Sequence, residues 1–169
     1  MKRALLLIDV QDWYIDKEHS GCLKYIHSLI DDYSSKRRHV FNMIFEDMFG
    51  ISMERSVKKK LDKLSFVWHI SKSGTNGAKE MKDILALKGF NKDNVKIDVC
   101  GFYTDQCVFQ TVLGLKKAGY KIVVHYAGVG SSEALFQNSS INRMKKAGVE
   151  IKYEDNNIDR KKHNKLRRV

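Results

Sequence analysis

The chain has 169 residues, enough for one domain with a substantial core and too few to require a second. Its 43% hydrophobic and 30% charged residues are those of a globular protein, with no run of about 18 apolar residues that could span a bilayer. The formal net charge of +11 raises a polyanion as partner, but the basic residues are spread over VKKKLDKL, GLKKAGYK and NRMKKAG, which read as solvated helix faces, and this argues against nucleic acid.

The opening MKRALLLIDV has a basic start and an apolar run, yet Asp9 interrupts the run and no small-residue cleavage site follows, so it reads as a first strand rather than a signal peptide. Further strands are expected at HVFNMIFED (39–47), SFVWHIS (65–71), VKIDVCGF (95–102), KIVVHYAG (121–128) and VEIKYE (149–154), each rich in branched residues. Between them, apolar residues recur at spacings of three and four: Leu23, Ile26, Ile30 and Tyr33, then Met53, Val57, Leu61 and Leu64, then Met81, Ile84 and Leu85. A fourth helix is expected from Val108 to Lys117, stopped by Ala118-Gly119, and a fifth ends in KKAG at 145–148. The tail DRKKHNKLRRV shows no apolar periodicity, so a domain over 1–156 and a solvated basic tail over 157–169 are expected.

Six strands alternating with five helices imply parallel strands, right-handed crossovers and an α/β fold with helices on both faces of the sheet. No GxGxxG follows the first strand and no GxxxxGK[ST] occurs, which removes the main support for a dinucleotide or nucleoside triphosphate. In such sheets chemistry sits outside the carboxyl ends of the strands. Three residues stand there. Asp9 ends strand one, and a carboxylate closing an apolar run needs a partner. Lys72 follows strand three directly, in a loop whose glycines (KSGTNG) let it bend over the sheet edge, with Lys79 in the next helix as the alternative. Cys107 follows strand four in the first turn of a helix, where free N–H groups and the dipole favour a thiolate and an oxyanion. The three cysteines are odd in number and lack CxxC, which argues against a disulfide framework and a zinc site and for a reducing cytoplasm. Cys100 reads as core and Cys22 as inert. His69 and His125 read as structural, Thr104 and Asp105 as the cap of the Cys107 helix. Trp13 and Tyr14 read equally as a pocket wall or a core plug.

LLLIDVQDWY, followed a hundred residues later by VCGFYTDQCVFQTVLGLKKAGYKIVV, resembles the isochorismatase-like cysteine hydrolases, a superfamily of isochorismatases, nicotinamidases and related amidases; the likeness covers residues 3–154. It implies a three-layer Rossmann-like sandwich with strand order 3-2-1-4-5-6, and a triad of Asp9 as acid/base, Lys72 as cation and Cys107 as nucleophile. It also implies a cis peptide between Phe102 and Tyr103 and an oxyanion hole from the Tyr103 and Cys107 N–H groups; Trp13, Tyr14 and Phe102, beside these elements, are the candidate substrate contacts. The nicotinamidases' metal-holding histidines have no counterpart in IFEDMFGISMERS, so neither metal nor cofactor is expected. The activity expected is hydrolysis of a small-molecule amide by a homo-oligomer. The rival readings are vinyl ether hydrolysis of the isochorismatase type and a catalytically idle binding or scaffold domain.

Overall fold

A computed structural model describes residues 1–46 and 52–154. The tail expected over 157–169 and the end of the second expected strand, Asp47, lie outside the described residues. Six strands form one parallel sheet: β1 (Lys2–Ile8), β2 (Val40–Phe45), β3 (Val67–Lys72), β4 (Val95–Phe102), β5 (Lys121–Gly130) and β6 (Glu150–Lys152), in the order β3-β2-β1-β4-β5-β6. The crossover helices are α1 (Ser20–Ser35), α2 (Arg55–Leu61), α3 (Ala78–Leu87), α4 (Phe109–Lys117) and α5 (Ala134–Lys146). This is the α/β sandwich expected from alternation, with the strand order implied by the resemblance.

Period two decides what each face of the sheet meets. Ala4, Leu6 and Ile8 of β1 pack with Met81 and Leu85 of α3 and Val112 and Leu115 of α4, whereas Leu5 and Leu7 pack with Ile26, Ile30 and Tyr33 of α1 and Val57 and Leu61 of α2. The second helix is shorter than its apolar spacing suggests. Glu54 accepts the Val57 N–H at 2.7 Å and so starts α2 at Arg55, while Met53 pairs in a bridge with Gln11.

Asp98 was passed over in the sequence, although it stands mid-strand in VKIDVCGF. It lies on the α1 face of β4, almost fully buried, and receives hydrogen bonds from Arg3, Tyr33 and His125, the last at 2.7 Å. His125 Nδ1 in turn lies 2.6 Å from the Tyr25 hydroxyl. Burial alone would raise the carboxyl, but these bonds outweigh it and hold Asp98 at about 2. The expected structural role of His125 has its physical content here, joining β5 to β4 and α1.

Candidate active site

β1 and β4 are neighbours with Ile8 opposite Gly101, so their carboxyl ends deliver Asp9 and the 102–107 turn to one point. Only glycine fits at 101: its φ is +136°, and a Cβ there would lie 2.0 Å from the Ile8 carbonyl oxygen. Asp9 itself is left-handed (φ 50°), a region that aspartate tolerates better than most residues. Its N–H donates to the Met43 carbonyl at 2.9 Å. Gln11 fastens the same edge, donating through Nε2 to the Phe45 carbonyl at 3.2 Å and accepting the Phe45 N–H at 2.8 Å.

Lys72 is the last residue of β3, not a loop residue, and its side chain is fully enclosed. Its ammonium donates to Asp9 Oδ2 at 2.8 Å, to the Gly74 carbonyl at 3.0 Å and to Cys107 Sγ at 3.5 Å, with the Phe45 ring centroid 5.0 Å away. A side chain at position 77 would collide with the Lys72 stem and Met43, so Gly77 lets the loop close over the lysine, where its N–H donates to Thr111 Oγ1 at 2.9 Å. Lys79 is far more open, its side chain 83% exposed and 3.8 Å from Asp83 on its own helix. The geometry thus brings Asp9, Lys72 and Cys107 together and leaves Lys79 out.

Cys107 occupies a wide helical turn, Thr104–Val108, in which the Val108 N–H reaches back to the Tyr103 carbonyl at 3.1 Å before α4 begins. The preceding Phe102–Tyr103 peptide is cis. The side chains of Thr104 and Asp105 do not cap this turn, contrary to the sequence reading: Thr104 Oγ1 and Asp105 Oδ1 are buried with no hydrogen-bond partner among the described residues. Electrostatics also differ from expectation. A thiolate favoured by the helix start was expected, but Cys107 is only 6% exposed, and burial together with the Asp9 carboxylate pushes its thiol up to about 12, against the opposing pull of Lys72. Burial also raises Asp9, with Lys72 opposing. The Asp9 carboxyl and the Lys72 amino group thus sit 2.8 Å apart beside a thiol that burial keeps protonated. Burial also pushes Cys22 to about 12 and Cys100 well above its ordinary value.

The aromatic residues separate. Tyr14 meets Tyr103 edge to face at 5.3 Å between centroids, half-buried beside the turn. Trp13 is 77% exposed, which excludes the core-plug reading. Phe102 is fully buried on the α1 face, edge-on to His19, whereas Cys107 packs on the α3–α4 face. The Phe102 side chain is thus not brought to the thiol. His19 went unnoticed in the sequence. It is buried, contacts Ser131's carbonyl through Nε2 at 3.0 Å, and pairs with Asp16 in a reciprocal cap that Asp-x-x-His spacing could have signalled.

The donors after β2 do not suit a metal ion: no histidine follows there, and Glu54 is engaged in capping α2 and in accepting from Ser56 Oγ. Residues 47–51 of that stretch lie outside the described residues; among the described ones no group of three or more His, Cys, Asp or Glu could hold a metal ion.

The fold is a parallel α/β sandwich with strand order 3-2-1-4-5-6, and a Cys, an Asp and a Lys converge at its carboxyl edge. The isochorismatase domain model matches residues 3–152, and the chain belongs to that family. Comparison by sequence with characterised proteins gives no significant match. Similar solved structures include a nicotinamidase from Staphylococcus aureus (22% identity, TM-score 0.74, covering 90% of this chain and 100% of that one). A pyrazinamidase of Pyrococcus horikoshii in complex with zinc shares 16% identity at a TM-score of 0.73, over 91% of this chain and 100% of that one. An octameric hydrolase of unknown specificity from Escherichia coli shares 18% at 0.74, over 90% and 75%. Among the described residues no helix is long and apolar enough to cross a membrane.

Proposed function

We propose that the chain is a metal-independent amidase of small molecules working through Cys107, Asp9 and Lys72. The observation that carries this reading is the single Lys72 ammonium bonded at once to Asp9 and Cys107 in an enclosed site. Asp9 Oδ1 is buried with no other hydrogen-bond partner among the described residues, and Asp9 and Cys107 interact directly through their side chains, so Asp9 is the acceptor assigned to the thiol proton. In the first step the sulfur bonds to the amide carbonyl carbon, the proton passes to Asp9, and the oxygen takes the negative charge. The N–H groups of Tyr103 and Cys107 are assigned to that oxyanion. Collapse then breaks the C–N bond, and Asp9 returns its proton to the departing amine, leaving a thioester. Water, deprotonated by Asp9, attacks the thioester; the C–S bond breaks and the thiol is restored with the carboxylic acid as product.

Tyr14, stacked edge-on to Tyr103, and the exposed Trp13 are assigned to the mouth of the site. Nicotinamidases and pyrazinamidases among the similar structures support the choice of an amide over a vinyl ether. The three free thiols suit a reducing cytoplasm. Self-association is part of the proposal, supported by the exposed Trp13 and Leu135, and light scattering tests it. The activity is tested with a panel of small primary amides, following ammonia release by wild type and Cys107→Ala. Release by wild type alone is expected; equal release by both removes the thiol from the mechanism.

A further inference from the structure

Charge that is spread along the chain is gathered in space. Every crossover helix runs antiparallel to the strands, so all five helices end at the edge where strands begin, opposite Cys107. Lys36, Arg37 and Arg38 follow α1, and Lys58–Lys60 lie in the last turn of α2. Lys116–Lys117 and Lys145–Lys146 end α4 and α5. Strand starts add Lys2 and Arg3. A cation at one helix C-terminus is ordinary, because the dipole favours it. Here the topology collects such ends at one pole, and most acids there are engaged: Asp32 by Lys36, Asp62 by Lys58, Asp31 by Lys60, Asp98 by Arg3 and Glu150 by Lys96, with Asp93 alone outside an ion pair among the described residues. The surplus is positive. The carboxyl edge of the sheet instead carries Asp12, Asp16, Glu18 and Glu46, with Lys17 among them.

The positive pole is also grooved. Three clefts of about 170, 330 and 220 Å³ lie on it; the first two share Arg37 and Arg38, and the second and third share Arg3 and Arg38, so they adjoin one another along these arginines. Rings alternate with the charges. Arg37 stands over Phe66 at 5.8 Å and Lys2 over Phe90 at 5.6 Å, while His39 stacks on Trp68 at 6.2 Å. Half-buried Phe66 and His39 line the groove.

We propose that this groove binds single-stranded nucleic acid, with Lys2, Arg37, Arg38 and Lys63 on phosphates and the Phe66 and His39 rings against bases. A flexible strand of evenly spaced anions with flat π faces is what a recessed basic groove with aromatic walls complements. A flat anionic lipid surface would meet the charges but not the recessed rings. The reading is independent of the Cys107 chemistry, which lies at the opposite edge.

The test is fluorescence anisotropy of the full chain with a labelled strand of roughly 20 uridines over a salt series. Four phosphate contacts at about −0.7 each predict a log–log salt slope of about −3, falling to about −1.4 in Arg37→Glu/Arg38→Glu, with affinity down about tenfold or more. Lys17→Glu/Lys24→Glu makes the same charge change on exposed residues elsewhere and should cost less than about threefold. Phe66→Ala should weaken binding about fivefold or more with the slope unchanged, the mark of stacking. Equal losses in both charge variants would reduce the effect to net charge and overturn the groove. An unchanged affinity in Arg37→Glu/Arg38→Glu would place binding in the basic tail and overturn it equally, as would binding to phosphatidylserine vesicles but not to the strand.

Discussion

Replacing Asp9 by asparagine should silence turnover and at the same time make Cys107 easier to alkylate. With Lys72 Nζ 2.8 Å from Asp9 Oδ2 and 3.5 Å from Cys107 Sγ, the carboxylate oxygen and the sulfur are at most about 6 Å apart. Two negative charges at that range repel by about 3 kcal/mol at an effective dielectric of about 20, which is about 2 pK units on the thiol. Asparagine removes that repulsion and leaves the Lys72 charge unshared, so the thiol should fall from about 12 by at least that much. The thiolate fraction at pH 8 then rises about a hundredfold, while the lower basicity of the sulfur takes back nearly a factor of ten, leaving alkylation about tenfold faster.

The assay is iodoacetamide labelling with mass mapping across pH 7 to 10, and Cys22, whose thiol burial also pushes to about 12, serves as the reference within the same molecule. Acceleration at Cys107 with none at Cys22, beside lost amide hydrolysis, is the expected outcome. Slower labelling of Cys107 in Asp9→Asn would refute the reasoning, because it would mean that Asp9 generates a thiolate in the resting enzyme rather than opposing one.

Lys72→Met should abolish turnover and push the thiol higher still, since it removes the one cation that lowers it, whereas Lys79→Ala should change the rate less than about twofold; steady-state kinetics on any amide found decides between them. Asp98 is held at about 2 against an ordinary 3.8, so it contributes on the order of 2 to 3 kcal/mol that is present above pH 4 and lost as pH falls from about 4 to 2. Asp98→Asn should therefore flatten the melting temperature over that window, and cost about 3 to 5 kcal/mol at pH 7 by stranding its partners. Gly101→Ala should fail to give folded protein by circular dichroism, because its Cβ would overlap the Ile8 carbonyl. Exhaustive chelation should leave turnover unchanged, given the lack of histidine in the IFEDMFGISMERS stretch.

How much of this was legible from the chain differs by element. The strands of the sheet announce themselves through branched apolar runs, and alternation with amphipathic helices leaves few topologies. Asp9 and Cys107 were legible for a similar reason, each breaking a local rule at a strand end. Lys72 was harder. Its spacing does not separate it from Lys79; only the register of β3 against β2, with Phe45 opposite Lys72, turns its ammonium inward. Arg3 and Asp98 were invisible as a pair, because their link is 95 residues long and is made by the β1–β4 ladder. The basic pole was hidden in the same way: lysines that look evenly dispersed in sequence fall together once each helix is folded back to the same edge.

A protonated thiol fits the proposed chemistry better than a thiolate would. A thiolate at rest would be the stronger nucleophile, yet it would need a second negative charge beside Asp9 in a site with one lysine and almost no solvent, and desolvation makes that state costly. Keeping the proton on sulfur leaves one anion for one cation, which is balanced. In the proposed mechanism, attack would move the proton to Asp9 as negative charge develops on the substrate oxygen, so the site would never hold two uncompensated anions. Backbone N–H groups at the start of the Cys107 turn would bear the new charge at that moment, relieving Lys72 of the task. On this reading the enclosure that raises the thiol is part of the catalytic design, because it postpones charge separation until a carbonyl is present to accept it.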